Sequence, residues 1–219
     1  MSAPPGPRPS PHPDIAGREA ELADLTSAVR RLVDLTCRNT ADADITAVIA
    51  RDAHALADRL EDATPATGTR RRFETFDVDD PADLFQYDAV VGTYNPTAPP
   101  VRCRWEDPFV FATAVFANPW EGPPGVLHGG MVAATFDAVL TVANIMTLGH
   151  PAPTARLDIT YRAPTPLDTE VTLEATVRSV DGRKVTTVGS LRAGETLCAE
   201  AEGLFIDLGA SPHLIGYAE

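Results

Sequence analysis

The chain has 219 residues, 44% of them apolar, and a formal charge of −13 at pH 7. That is enough length and apolar content for one packed domain with an extension, which excludes global disorder. The charge opposes non-specific nucleic-acid binding, which needs a basic footprint, but local arginines can still hold an anionic ligand.

Residues 1–13 contain six prolines, and such a segment is expected to form a disordered tail, residues 1–15. It has no basic-then-apolar leader pattern. Cys37, Cys103 and Cys198 are odd in number and scattered, which suits a reducing compartment better than a disulfide framework. A cytoplasmic location is therefore expected.

From Ala16 to Cys37 the apolar positions Leu22, Leu25, Val29, Leu32, Val33 and Leu35 recur at helical spacing. A second stripe, Ile45, Val48, Ile49, Leu56 and Leu60, predicts a helix over 40–61, capped by Asp42 or Thr40. The two helices define an N-terminal extension, residues 16–69, suited to packing or oligomer contact. Residues 70–219 are assigned to the main domain.

Residues 63–108 are rich in turn signals, with Asn95-Pro96 and Pro99-Pro100 as breaks. Short strands are expected at Val90–Tyr94 and Val101–Trp105. Phe109 to Ala117 is a continuous apolar run, read as a strand covered on both faces. A glycine- and proline-rich loop, 118–127, leads into a helix expected over 130–148. That helix carries a single charge, Asp137. Its length would allow it to cross a bilayer, but Asn144, the central Asp and the flanking strands predict a buried core helix and no membrane span.

After Pro153 the period changes to two. Leu157, Ile159 and Tyr161 alternate with polar residues, as do Val171, Leu173, Ala175 and Val177. Asp181-Gly182 marks a tight hairpin. A strand over 185–191 and a last strand over 196–208 follow, with a bulge expected near Gly203. A sheet with one apolar face must cover it, and helix 130–148 is the segment apolar enough to do so. The predicted class is α+β, an antiparallel sheet wrapped around one long central helix, the hotdog fold.

His128-Gly129-Gly130 opens that helix. A helix N-terminus presents free N–H groups and the positive end of the dipole, which can polarise an electron-rich oxygen. The Gly129 amide is the favoured donor. Asp137 sits nine residues after His128, and a carboxylate in an apolar helix must be paired, hydrated or functional. The spacing places it about 13 Å along the axis and nearly on the opposite helix face. One small reacting group cannot touch both from a single helix, so a shared site requires two chains related by a two-fold axis. There is no Gly-x-Ser-x-Gly elbow and no metal-ligand spacing of His or Cys.

The segment Gly122-Pro-Pro-Gly-Val-Leu-His-Gly-Gly130 with Asp137 resembles the PaaI-like branch of hotdog-fold acyl-CoA thioesterases. The similarity continues through Thr154–Tyr161, Arg162–Pro166, Asp181–Lys184 and Ala199–Phe205, covering residues 88–208. The resemblance implies thioester hydrolysis at a dimer interface, with no metal or redox cofactor and with coenzyme A as part of the substrate. It implies that Asp137 activates water or attacks the carbonyl, that the Gly129 amide polarises it, that His128 orients the turn and that Thr154 helps place the nucleophile. Asn118 matches a polar water-holding position, Gly130 the substrate turn, and Arg183 and Lys184 the positions that meet coenzyme A phosphates. It implies a homodimer or a dimer of dimers. The rival readings are a non-catalytic acyl-CoA or acyl-carrier binding module, and a hotdog dehydratase or hydratase.

Overall fold

A computed structural model describes residues 15–64, 81 and 84–209. Residues 1–14 of the expected disordered tail lie outside the described residues, whereas Ile15, placed in that tail, is fully buried and its carbonyl accepts from the Arg18 N–H.

Two helices come first, α1 (Glu19–Cys37) and α2 (Ala43–Asp62). Asp42 caps α2, its side chain accepting from the Ile45 N–H at 2.9 Å. α1 is fastened to the segment 86–95: the Thr26 hydroxyl donates to Tyr94 O, and the Arg30 guanidinium donates to Gly92 O and Asn95 O at 2.9 and 2.8 Å. Burial, with Arg102 adding repulsion, lowers the Arg30 pKa, so these carbonyl contacts offset a real desolvation cost.

The strand expected at Val90–Tyr94 is a run of turns. The Asp88 carboxylate accepts from the Val90 and Val91 N–H groups at 2.7 and 2.9 Å. This local side-chain bonding competes with a sheet ladder and wins.

Six strands follow: β1 (Arg102–Glu106), β2 (Phe109–Val115), β3 (Thr154–Tyr161), β4 (Glu170–Asp181), β5 (Lys184–Ala193) and β6 (Thr196–Ile206). They form one sheet in the order β1-β2-β4-β5-β6-β3, with every neighbour pair antiparallel. Helix α3 (Gly129–Leu148) connects β2, near one edge, to β3 at the other edge. The sheet curls around α3, as the hotdog fold requires.

β2 departs from expectation. Val110, Ala112 and Ala114 are buried while Val115 is 43% exposed, so within one chain the strand is covered on one face. The bulge of β6 also lies elsewhere. Register with β5 shifts where Leu191 pairs Ala199 and Arg192 pairs Leu197, which leaves Cys198 as the extra residue. Cys198 and Ala199 are consecutive and both buried, which a regular strand would not allow. Gly203 keeps its register and leaves room for the Phe205 ring, which a Cβ there would meet at 2.4 Å.

Nine α3 residues are buried, among them Phe136, Val139, Leu140, Ala143 and Ile145. They meet the inward side chains Val171, Leu173, Val185, Leu191 and Phe205. The opposite side of α3, with Gly130, Ala134, Asp137 and Thr141, is partly open. Leu140 is fully buried, and its methyls fill the space over Gly189 and Gly203. Leu140→Ala is expected to lower the unfolding free energy by about 2–5 kcal/mol, seen as a lower urea midpoint at unchanged slope. A loss below about 1 kcal/mol would mean that α3 does not fill the core tightly.

Candidate active site

The loop before α3 is pinned along its length. Asn118–Trp120 form a 3-10 turn, and the Trp120 ring meets Phe116 edge-on at 6.1 Å. His128 N–H donates to Trp120 O, Leu127 N–H to Thr165 O, and Gly125 N–H to the Glu121 carboxylate at 2.6 Å. The turn that opens α3 is thus fixed to the body of the domain.

His128 is the N-cap of α3. Its Nδ1 accepts from the Gly130 N–H at 2.9 Å, so the neutral ring carries its proton on Nε2. The Tyr161 hydroxyl, at the end of β3, donates to Gly129 O at 2.8 Å. The peptide unit joining Gly129 to Gly130 is therefore held at its N–H by His128 and at its oxygen by Tyr161. A Cβ on Gly130 would lie 3.0 Å from His128 Nδ1, so glycine at 130 lets the imidazole close on the backbone. The preceding amide, the N–H of Gly129, meets no acceptor among the described residues. It is an oriented donor at the positive end of a helix.

Asp137 lies two turns further along. It is partly buried in the single chain. The Thr154 hydroxyl, at the first residue of β3, donates to its Oδ1 at 2.8 Å. This leaves the second carboxylate oxygen without a protein donor among the described residues.

β3 touches both features. Its first residue holds Asp137 and its last holds Gly129. These residues are seven apart, about 23 Å along a strand. One chain therefore does not bring Asp137 and Gly129 together. β3 pairs with β6 on one side, and its other edge faces no strand among the described residues.

The remaining predicted residues separate. Arg183 lies in the β4–β5 turn and Lys184 opens β5, where it pairs Ile206, whose N–H donates to Pro153 O. They lie at the Thr154 end of the sheet, about 10 Å away across two ladder spacings. Arg183 Nε donates to Asp207 O at 3.2 Å. Asp207 is paired with His150 at 2.8 Å, and hydrogen bonds from His150 and the Gly209 N–H hold its carboxyl below the ordinary range. Asn118 is engaged elsewhere: its amide donates to Asp34 of α1 at 3.3 Å. Tyr161 is the site residue that sequence reasoning missed. In an alternating strand it reads as one more apolar position, and only the closure of β3 onto the start of α3 reveals its hydroxyl's partner.

Comparison with known proteins returns one consistent class. The family profile "Thioesterase superfamily" matches residues 124–200. A crystal structure described as a thioesterase superfamily protein is 37% identical, covering 84% of this chain and 94% of that one, with a TM-score of 0.74. Acyl-coenzyme A thioesterase THEM4 of Xenopus laevis is 39% identical over 90 residues, 40% of each protein. THEM4 of Bos taurus is 36% identical over 90 residues, 40% of this chain and 36% of that protein. The matched region spans about two fifths of the length of these curated relatives.

Proposed function

The chain belongs to the thioesterase superfamily, and on that premise we propose that it hydrolyses acyl-coenzyme A thioesters to the free acid and coenzyme A. The observation that carries this reading is the Asp137 carboxylate, partly buried on an apolar helix and held at one oxygen by Thr154. A carboxylate so fixed, with its second oxygen available, is suited to take a proton from water. The THEM4 relatives, named acyl-coenzyme A thioesterases, support the substrate class.

The active unit is a two-fold dimer. Two β3 edges paired antiparallel would set the Tyr161 end of one strand beside the Thr154 end of the other. The Gly129 amide of one copy then approaches the Asp137 carboxylate of its partner, and two equivalent sites form. Water attacks the thioester carbon and its proton passes to Asp137. The carbonyl oxygen takes the negative charge and accepts from the Gly129 N–H. Collapse breaks the carbon–sulfur bond, and the thiolate of coenzyme A recovers the proton from Asp137. Direct attack by Asp137, giving an anhydride that water then opens, uses the same residues. Direct attack, with water opening the anhydride at the Asp137 carbonyl carbon, leaves ¹⁸O from labelled water in Asp137 after a single turnover, whereas water attack on the thioester never labels Asp137. Arg183 and Lys184 stand at the Asp137 end of the sheet, where cations would meet the phosphates of coenzyme A.

The primary test is release of free thiol from acyl-CoA over a series of chain lengths. Binding without thiol release would overturn the proposal in favour of a binding module. In this scheme Tyr161 is a positioning residue, since it acts through the Gly129–Gly130 peptide. Tyr161→Phe is expected to lower kcat about tenfold and leave KM nearly unchanged. A change confined to KM would assign Tyr161 to substrate binding instead.

A further inference from the structure

The arm made by α1 and α2 carries apolar surface that its own chain leaves open. Thirteen large hydrophobic side chains are exposed on the described residues, and nine of them lie on this arm. α1 is rooted on the domain through Thr26 and Arg30. Among the described residues no hydrogen bond or ion pair ties α2 to the domain: none of its residues is buried, and Ile45, Val48, Ile49, Leu56 and Leu60 are 46–58% exposed. At about 100° per residue these five fall within one stripe roughly 120° wide. A groove of about 620 Å³ between the helices, lined by Leu32, Leu35, Ile49 and Ala53, extends this surface to α1. A helix of this length gains most of its stability by packing an amphipathic face, and a contiguous exposed apolar patch marks a contact site.

We propose that α2 is a self-association element: two copies of this chain pack their α2 helices antiparallel across a two-fold axis between Asp52 and Ala53. The stripe has the symmetry this requires. Ile45 and Leu60 are equidistant from that midpoint, as are Ile49 and Leu56. An antiparallel copy therefore sets Ile45 against Leu60 and Ile49 against Leu56, an arrangement that an unrelated partner has no reason to demand. Nine half-exposed side chains on each arm offer on the order of 1,000 Å² in total, near the lower bound of a specific interface. A lipid surface is the poorer occupant. Residues 19–62 hold ten carboxylates against five arginines, whereas a helix lying on an anionic bilayer needs a cationic polar face.

Asp52 lies inside the stripe, next to the proposed axis, so the two copies bring like charges together. This gives the proposal a prediction of opposite sign. In the full chain, Ile49→Glu with Leu56→Glu is expected to weaken the association constant about 100-fold, because four charges enter an apolar contact. Asp52→Leu is expected to strengthen it about tenfold, because a repulsion is replaced by apolar contact. Sedimentation equilibrium measures both, and circular dichroism of the same samples shows whether the body is still folded. An unchanged constant in the double variant, or a weaker one in Asp52→Leu, overturns the proposal. So does capture of the wild-type chain on phosphatidylcholine vesicles with no association beyond the β3 dimer. Thiol release measured alongside keeps the two readings apart: turnover with no arm pairing sinks only this proposal, and arm pairing with no turnover sinks only the thioesterase reading.

Discussion

Asp137→Asn is expected to lower kcat for acyl-CoA hydrolysis about 10³-fold while the protein remains folded and assembled. The substitution changes little except charge. Asparagine keeps an oxygen able to accept from the Thr154 hydroxyl, now 2.8 Å from Oδ1, so the side chain stays in place. It is only partly buried, and the two side chains have nearly the same volume, so the packing of Phe136 and Leu140 is not disturbed. What disappears is the capacity to remove a proton from water, or to attack the carbonyl directly. Each alternative to hydrolysis makes a different forecast: a binding module releases no thiol with either residue, and a hydratase would turn over enoyl-CoA instead. Thiol release by the variant within about tenfold of wild type would remove Asp137 from the chemistry.

The parts of this architecture set by local pattern were legible in the sequence. α3 was recognisable because a long apolar run with one acid, flanked by alternating segments, has few ways to be buried. β3 and β4 followed from period-two alternation, and the β4–β5 turn, with β5 as its returning strand, from Asp181-Gly182. Features decided by long-range geometry were not legible. Tyr161 reaches Gly129 across 32 positions of chain, and no spacing rule announces that contact. Gly203 looked like a bulge because the apolar phase of the strand shifts near it, yet it is the empty slot that the Phe205 ring occupies, and the extra residue is Cys198. At Val90–Tyr94 strand propensity lost to one aspartate bonding its own backbone. An apolar helix suggests burial all round, while one side of α3 stays open in the single chain, where the proposed dimer would form its clefts.

Gly129→Pro offers the sharpest test of that dimer, because it deletes one backbone hydrogen and little else. Gly129 is the first residue of α3, where proline is tolerated and no intrahelical bond is lost. The preceding His128, at φ −59° and ψ 131°, already has the extended conformation that a following proline demands. A Cβ at 129 makes only ordinary contact with Tyr161, at 3.5 Å or more. Stability should hold or rise by about 0.4–1 kcal/mol through loss of unfolded-state freedom. Activity should fall about 10²- to 10³-fold through loss of the oxyanion donor. The opposed signs separate a catalytic amide from damage to the fold. Mixing this variant with Asp137→Asn then reads the geometry of assembly. Neither homodimer has a complete site, but each heterodimer joins the intact Asp137 of one chain to the intact Gly129 amide of the other. Random re-pairing of equal amounts should recover about a quarter of wild-type activity, because half the dimers are mixed and each carries one working site of two. Sites contained within single chains would recover nothing, since every chain in the mixture is defective, and the two-chain site would have to be abandoned.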